Sequence, residues 1–374
     1  MSSPPRRILI ACDKFKGSLS ADEANAAIAR GIVKRFPDAR IERRVIADGG
    51  EGFVSAAAAA LAGEWIETTA HDALGREISA SYLIANHHGE RLAVIEMAEA
   101  SGMWRIARED RDILRSGTFG TGELMRHAIE EQHADLLIVG LGGSATNDGG
   151  AGMAAALGIR FLDAEGNEIR PLPSDLSERL AVVDESAALR MPPVVAACDV
   201  TNPLLGPDGA TRVFGPQKGG NGTTIPVLES ALARLVEASA GWKEAEKPGA
   251  GAAGGLGFGL MRFCEAELRS GFDMIAELTG LEMIVERADL IITGEGSLDA
   301  QSLSGKGPFS LARMARRHGK RVIAFCGMAD EAARASGCFD GIHELRSTGL
   351  PLDELMHRAA ELLESLAADG DLPP

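Results

Sequence analysis

The amino-acid sequence predicts an α/β protein of two domains, in which a doubly wound parallel sheet is interrupted by an inserted domain with a mixed sheet. The length, 374 residues, suits two domains at about 150 residues each. Both ends of the chain alternate strand and helix patterns, as chains that build parallel sheets do. The segment between them has strand patterns joined by short turns, which are typical of antiparallel pairs. We therefore assign 1–63 and 285–374 to the doubly wound domain and 64–284 to the insertion.

The amino-terminal elements follow the βαβα order that builds a parallel sheet. Residues 7–11 are rich in strand formers, and a polar loop follows them. Ser20 with Glu23 three residues later forms a capping box, which predicts the start of a helix. A strand at 41–47 precedes a glycine-containing loop, and an alanine-rich helix ends near Gly63.

The remaining strands divide into two groups. Strand patterns at 64–69, 77–85 and 91–97 predict an antiparallel meander, followed by a helix at 122–132. Further strands are predicted at 136–139, 194–198, 290–293, 322–325 and 342–345, with helices between the last three.

Composition excludes several classes of partner and location. The net charge of −16 and the 4% of aromatic residues disfavour nucleic acid and anionic membranes. The five cysteines have no CxxC spacing, which argues against disulfides and a zinc site. Without a signal peptide or an 18-residue apolar run, the sequence predicts a cytoplasmic protein. A small anion can still bind a local lysine cluster, because distant surface charges are screened within about 8 Å.

A glycine-rich loop at 140–152 is the strongest indication of a binding site. Glycines allow backbone amides to approach an oxyanion, and the start of the following helix favours phosphate or carboxylate. A tight strand-to-helix turn explains two or three glycines, but this loop has six and also carries Ser144, Asn147 and Asp148. We therefore predict an anion site, to which Gly142 and Gly143 contribute.

Two known nucleotide-binding motifs help to narrow the class of enzyme that the sequence predicts. A Walker A motif is absent, because Gly305-Lys306 is followed by Gly307. Gly140, Gly142 and Ala145 match a relaxed dinucleotide pattern. A nicotinamide-dependent 2-hydroxy-acid dehydrogenase is therefore one alternative, and a non-catalytic sugar-acid-binding protein is another.

Lysines and carboxylates in glycine-containing loops supply further candidates. Lys16, Lys218 and Lys306 can each neutralise phosphate or carboxylate, and Lys218, between Gln217 and Gly219, is expected in a flexible loop without a packing role. Asp199 follows the strand at 194–198, at the sheet edge where ligands bind in parallel α/β proteins. The segment 249–255 is predicted to be a mobile loop.

Eight segments, taken in order, resemble the bacterial type I glycerate kinase family over essentially the whole chain. They are 13–20 (DKFKGSLS), 47–52 (ADGGEG), 120–124 (GTGEL), 140–152 (GLGGSATNDGGAG), 198–204 (CDVTNPL), 214–219 (FGPQKG), 249–255 (GAGAAGG) and 292–299 (ITGEGSLD). Lys14, where a serine is usual, and Ser297, where an arginine is usual, depart from the family pattern and bear on substrate affinity.

The resemblance implies ATP-dependent phosphorylation of D-glycerate, with 2-phosphoglycerate as the usual product. It also implies a flavodoxin-like domain, a second domain similar to restriction endonucleases, and an active site between them. ATP, Mg²⁺ and D-glycerate are the expected cofactors and ligands, and a homo-oligomer is compatible with the sequence.

The residues and the resemblance together give a set of candidate site residues. The catalytic candidates are Asp199, Asp148 and Lys16, of which Asp148 and Asp199 are also candidate metal ligands. The candidates for binding substrate or phosphate are Asp13, Ser18, Asp48, Gly49, Glu51, Gly142, Gly143, Ser144, Asn147, Lys218, Gly254, Gly255, Glu295 and Lys306.

Overall fold

The chain forms two units, and the second is inserted in the first. The computed structural model describes residues 5–46, 49–50, 52–299 and 307–370. One unit comprises Met1–Asp48 and Phe272–Pro374, and the other comprises Gly49–Gly271. The predicted candidates Asp48, Glu51 and Lys306 lie outside the described residues.

Strands and helices alternate along most of the chain. The strands are β1 Arg7–Cys12, β2 Arg40–Val45, β3 Glu64–His71, β4 Glu77–His87, β5 Glu90–Glu96, β6 Leu136–Gly140, β7 Arg160–Leu162, β8 Val182–Asp184, β9 Val194–Ala197, β10 Glu267–Arg269, β11 Leu290–Leu298, β12 Arg321–Ala329 and β13 Gly341–Glu344. The α-helices are α1 Ala21–Arg35, α2 Phe53–Leu61, α3 Ala98–Ser101, α4 Phe119–Glu130, α5 Ala151–Ala156, α6 Pro173–Arg179, α7 Ala210–Phe214, α8 Thr224–Ala238, α9 Trp242–Ala245, α10 Ala252–Phe263, α11 Gly271–Thr279, α12 Leu281–Arg287, α13 Gly307–Arg317, α14 Glu331–Ala335, α15 Leu352–His357 and α16 Ala359–Asp369. Short 3₁₀ turns cover Met103–Arg105, Arg108–Asp110, Pro216–Lys218 and Leu345–Thr348. No helix in the described ranges is long and apolar enough to cross a membrane.

The first unit contains a five-stranded parallel sheet in the order β13-β12-β11-β1-β2. Numbered within the unit, this order is 2-1-3-4-5, the doubly wound order of flavodoxin. Alternate residues of β1 point to opposite faces of the sheet, as the two-residue period of a strand requires. Ile8 packs in a core with α1 and α16, and Leu9 packs in a second core with α12 and α13. The predicted flavodoxin-like domain is confirmed.

The second unit contains a six-stranded mixed sheet in the order β10-β9-β6-β5-β4-β3. Strands β3, β4 and β5 form the predicted antiparallel meander. Strands β5, β6, β9 and β10 are parallel. A separate two-stranded ribbon joins β7 and β8. The predicted α/β class with a mixed inserted sheet is confirmed.

Helices α2 and α11 lie in different units from those expected. The amides of Gly52 and Val54, at the start of α2, donate to Glu96 Oε1 at 3.0 and 2.9 Å, and α2 contacts β4 and β5. It therefore belongs to the second unit, although the sequence places it before a boundary at 63/64. Phe272 of α11 and Val285 of α12 pack with Leu9, so the second boundary lies at 271/272 rather than 284/285.

Strands β11 and β12 extend further than the sequence predicts. They pair as far as Leu298 with Ala329, through glycines that interrupt the apolar pattern. A Cβ on Gly294 would lie 2.0 Å from the carbonyl oxygen of Phe325, so only glycine allows the two backbones to pair there. The predicted capping box is present, with Ser20 Oγ accepting from the Glu23 amide and Glu23 Oε2 accepting from the Ser20 amide.

Candidate active site

The carboxyl ends of three parallel strands lie side by side in the second unit. Glu96, the last residue of β5, is the register partner of Gly140, the last residue of β6, and Gly140 pairs in turn with Ala197 of β9. The glycine loop 140–152 and the segment that contains Asp199 both leave the sheet at this edge. The edge is where ligands bind in open α/β sheets.

Lys218 contacts the glycine loop directly. Its side chain is buried, with 3% of the residue exposed, and Nζ donates to Ser144 Oγ at 3.1 Å and to the carbonyl oxygen of Thr146 at 2.7 Å. Burial lowers the pKa of Lys218 from 10.5 to about 7, against the opposing effect of Asp148. The prediction that Lys218 lies in a flexible loop without a packing role is therefore wrong. Lys218 ends the 3₁₀ turn Pro216–Lys218, and its Nζ packs against the glycine loop.

Ser144 is the centre of a small hydroxyl cluster. Its Oγ lies 3.0 Å from Thr146 Oγ1 and donates to the carbonyl oxygen of Ala253 at 3.2 Å. The Thr146 amide donates to the same Oγ at 3.1 Å. The cluster orients the two acceptors that hold the Lys218 ammonium.

Asp148 has a structural role that differs from its predicted one. It is completely buried, and Oδ2 accepts from the amide and hydroxyl of Thr118 at 2.7 and 2.8 Å and from the Gly152 amide at 3.1 Å. Its Oδ1 accepts from the Gly150 amide at 3.1 Å. Burial raises the pKa of this carboxyl, and the four hydrogen bonds oppose that rise.

The anion position at the start of α5 is thus filled by the protein's own carboxylate. The start of this helix was expected to favour a bound phosphate or carboxylate, but the amides of Gly150 and Gly152 there donate to Asp148 instead. The geometry therefore argues against Asp148 as a base or metal ligand. It leaves the first part of the loop, around Gly143, as the available part of the predicted anion site.

Gly143 occupies that available part. It is exposed and has φ +73°, while its carbonyl oxygen accepts from the Met103 amide at 2.8 Å. Its own amide donates to no acceptor in the part of the chain that the structure describes. An exposed glycine whose amide is not used within the described residues is what a Gly-rich anion loop offers to its ligand.

The other predicted glycines pack the loop rather than line it. A Cβ on Gly254, which has φ +69°, would lie 1.9 Å from the Thr146 carbonyl oxygen, and one on Gly255 would lie 2.7 Å from Gly149 Cα. A Cβ on Gly142 would lie 2.1 Å from Gly50 Cα, and one on Gly49 would lie 2.8 Å from the Ala197 carbonyl oxygen. Residues 249–255 are all buried, which differs from the mobile loop expected there.

Asn147 and a residue that the sequence analysis missed form a further polar contact. Asn147 Nδ2 donates to Thr211 Oγ1 at 3.0 Å, while the buried Oδ1 accepts no hydrogen bond from the described residues. Thr118, which binds Asp148, was missed as well. Threonines beside glycines, as in Gly117-Thr118, are the signal that could have identified Thr118.

Asp199 lies beyond the end of β9 and is half-buried. Its Oδ1 accepts from the Gly271 amide at 3.1 Å. The carboxylate thus joins the segments that follow β9 and β10. This contact fixes its position at the carboxyl edge of the sheet.

In the first unit, predicted site residues lie at the carboxyl ends of β1 and β11. Asp13 and Glu295 are each 8% exposed, and the Asp13 amide donates to the Gly294 carbonyl oxygen at 2.8 Å. The order of the sheet reverses between these two strands, which is where flavodoxin-like folds bind ligands. Lys16 is exposed, whereas Ser18 Oγ donates to the Met356 carbonyl oxygen at 2.5 Å.

The described residues do not provide the cluster of metal ligands that a preformed metal site would need. Within residues 5–46, 49–50, 52–299 and 307–370, no group of three or more His, Cys, Asp or Glu side chains could hold a metal ion. Asp148 does not fit, because its carboxylate already accepts four hydrogen bonds. The described residues therefore form no preformed cluster of three or more such metal ligands.

Comparison with known proteins identifies the family. The glycerate kinase family model matches residues 8–369. A glycerate kinase of Bacillus subtilis (strain 168) is 42% identical over 97% of this chain and 96% of its own length, and a glycerate 2-kinase of Escherichia coli (strain K12) is 43% identical over 86% and 85%. A crystal structure assigned to glycerate kinase 2 of Salmonella typhimurium LT2 aligns with a TM-score of 0.79 at 38% identity, over 98% of this chain and 97% of that one. The chain therefore belongs to the glycerate kinase family and is a phosphotransferase.

Proposed function

We propose that the chain transfers the γ-phosphoryl group of ATP to the 2-hydroxyl of D-glycerate. The observation that carries the proposal is the contact of buried Lys218 with Ser144 and Thr146 of the glycine loop. Support for the position of transfer comes from the Escherichia coli relative, which is a glycerate 2-kinase at 43% identity.

Phosphoryl transfer depends mainly on positioning and on neutralising the charge of the phosphates. An ammonium group has three N–H donors, and the described residues accept from Lys218 only twice. We propose that a phosphate oxygen accepts the third. The charge of that phosphate would raise the pKa of Lys218 and favour its charged form.

The amide of Gly143, an exposed residue, complements the lysine. It lies one residue from Ser144, so an oxyanion bound at Gly143 is next to the hydroxyl that holds the Lys218 ammonium. A charge-assisted hydrogen bond to a backbone amide is about twice as strong as a neutral one. Loop and lysine together supply the two kinds of donor that a phosphate needs.

We propose that Asp199 is the general base for the acceptor hydroxyl of D-glycerate. A half-buried carboxylate at a strand end, held by the Gly271 amide, can accept the hydroxyl proton as the phosphoryl group arrives. Lys16, Asp13 and Glu295 of the first unit remain proposed ligands of substrate or phosphate. For Ser18 we propose that it holds the Asp13–Ser20 loop through Met356.

Magnesium is proposed to enter with ATP. Mg²⁺ commonly keeps several waters and binds through substrate phosphates with one or two carboxylates. That mode suits a chain whose described residues form no preformed cluster.

One finding argues against the dehydrogenase alternative. A dinucleotide fold binds its pyrophosphate at the start of the helix that follows the glycine loop. The corresponding amides, Gly150 and Gly152, donate to Asp148. The position is filled, and the relaxed glycine pattern does not mark a dinucleotide site.

The two activities are separated by one pair of assays. The protein is incubated with D-glycerate, ATP and Mg²⁺ while ADP is followed, and with D-glycerate and NAD while NADH is followed. We expect glycerate-dependent ADP formation and no NADH. ADP formation that does not depend on glycerate, or NADH in the second assay, would overturn the proposal.

A further inference from the structure

Trp104 is a large aromatic residue that is exposed to solvent beside the glycine loop. It lies in the 3₁₀ turn Met103–Arg105 and is 60% exposed. One exposed apolar residue is ordinary on a protein surface. What distinguishes Trp104 is how its ring is held and what lies next to it.

The ring is fixed in place by two contacts. Trp104 Nε1 donates to the Ala98 carbonyl oxygen at 2.9 Å. The guanidinium of Arg105 lies 4.4 Å from the ring centroid and also bonds Glu99 at 3.3 Å. A side chain already ordered in the free protein loses little conformational entropy when a ligand packs on it.

The ring is also tied to the part of the loop proposed to bind phosphate. The residue before it, Met103, donates its amide to the Gly143 carbonyl oxygen at 2.8 Å. Gly102 forms an antiparallel bridge with Ser144. A ligand with a phosphate at Gly143 and a flat aromatic group nearby could therefore contact both features.

We infer that Trp104 is the stacking platform for the adenine base of ATP. The inference rests on the proposed ATP-dependent function and assigns the base subsite, which neither the glycine loop nor Lys218 provides. Bases stack on indole rings through their π faces, and an adjacent arginine adds a cation–π contribution. The positive charge of Arg105 also suits a nucleotide, whose phosphates are negative.

The first test compares Trp104→Ala with Trp104→Phe and with Trp242→Ala. Trp242 is the matched control, because it is 54% exposed in the same unit. Loss of the stack is expected to raise the KM for ATP about 10-fold in Trp104→Ala. The KM for D-glycerate and kcat should change less than about twofold, Trp104→Phe should keep most of the affinity, and Trp242→Ala should match wild type.

Inorganic tripolyphosphate separates the base from the phosphates, because it has no base. Its inhibition constant against ATP should be the same in wild type and in Trp104→Ala. An equal loss of affinity for tripolyphosphate and ATP would show that the substitution disturbs the loop, and it would overturn the assignment of a base platform.

A second measurement does not require removal of Trp104. In Trp65→Phe/Trp242→Phe, Trp104 is the remaining tryptophan, since the chain has three. ADP should quench its fluorescence, and tripolyphosphate should not. If wild type phosphorylates D-glycerate but ADP leaves the fluorescence unchanged, the platform is wrong and the function stands; if wild type transfers nothing from ATP, the function itself fails.

Discussion

The carboxylate of Asp148 accepts two hydrogen bonds from Thr118, one from its amide and one from its hydroxyl. The hydroxyl of Thr118 also accepts from the Met153 amide at 2.9 Å. Through these bonds Asp148 joins the glycine loop to the residue that precedes α4. A sequence motif that looks like an empty anion site thus contains its own buried anion.

Asp148→Asn is expected to destabilise the fold. Asparagine keeps the shape but replaces one acceptor oxygen by a donor, which then faces the donors of Thr118, Gly150 or Gly152. Leaving such buried groups unpaired costs about 3 kcal/mol of unfolding free energy. Urea denaturation measures the loss of unfolding free energy, and Asp208→Asn, at an exposed aspartate, is the control. If Asp148→Asn is as stable as wild type, Asp148 does not have the structural role described.

Lys218→Met is expected to weaken binding of an anionic substrate. Methionine retains the apolar stem and removes the charge, so the loss reflects one charge-assisted hydrogen bond of about 1.5 to 3 kcal/mol. The KM for ATP or D-glycerate should rise at least about 10-fold at pH 7. Lys243→Met, an exposed lysine of the same unit, should have no effect; unchanged kinetics in Lys218→Met would place this lysine outside the site.

The pKa of Lys218 makes stability depend on pH in a definite direction. Its pKa is lowered to about 7 in the folded protein, from 10.5. Between these values the unfolded chain binds the proton and the folded chain does not. Stability therefore rises with pH across this window and is lowest, for this group, below pH 7.

The comparison of wild type with Lys218→Met isolates this effect. From pH 7 towards 10.5, wild type should gain up to about 1.4 kcal/mol per pH unit relative to the variant. Denaturation at several pH values measures the difference. A difference that stays constant with pH would contradict a buried lysine with a lowered pKa.

Asp199→Asn is expected to lower kcat far more than nucleotide affinity. A base acts as the hydroxyl proton is transferred, so its effect grows towards the transition state. A fall of about 100-fold or more in kcat is the order expected for general base catalysis. If the carboxylate serves only structural contacts such as that with the Gly271 amide, the thermal midpoint should drop while kcat stays near normal.

Sequence reasoning predicted the loops at the strand ends better than it predicted the surroundings of their residues. The strand ends and the flavodoxin-like order follow from local apolar patterns and from the family resemblance. The burial of Lys218 depends on Ser144, 74 residues away, and nothing near Lys218 in the sequence indicates that contact. Likewise Asp148 is satisfied by Thr118, 30 residues earlier, so its local setting resembles that of a free carboxylate.

The placement of α2 was missed for a related reason. Its alanine-rich sequence specifies a helix but no partner. Glu96, 42 residues after Val54, fixes the start of the helix to the second unit. Such long-range polar contacts decide domain boundaries that local patterns leave open.

The proton-coupled ³¹P spectrum of the product tests the central claim most directly. Phosphate on the secondary 2-hydroxyl couples to one carbon-bound proton, and phosphate on the primary 3-hydroxyl couples to two. We predict that ATP and D-glycerate give a new phosphomonoester signal that is a doublet. A triplet would contradict transfer to the 2-hydroxyl, and the absence of any glycerate-derived phosphomonoester would contradict the proposed reaction as a whole.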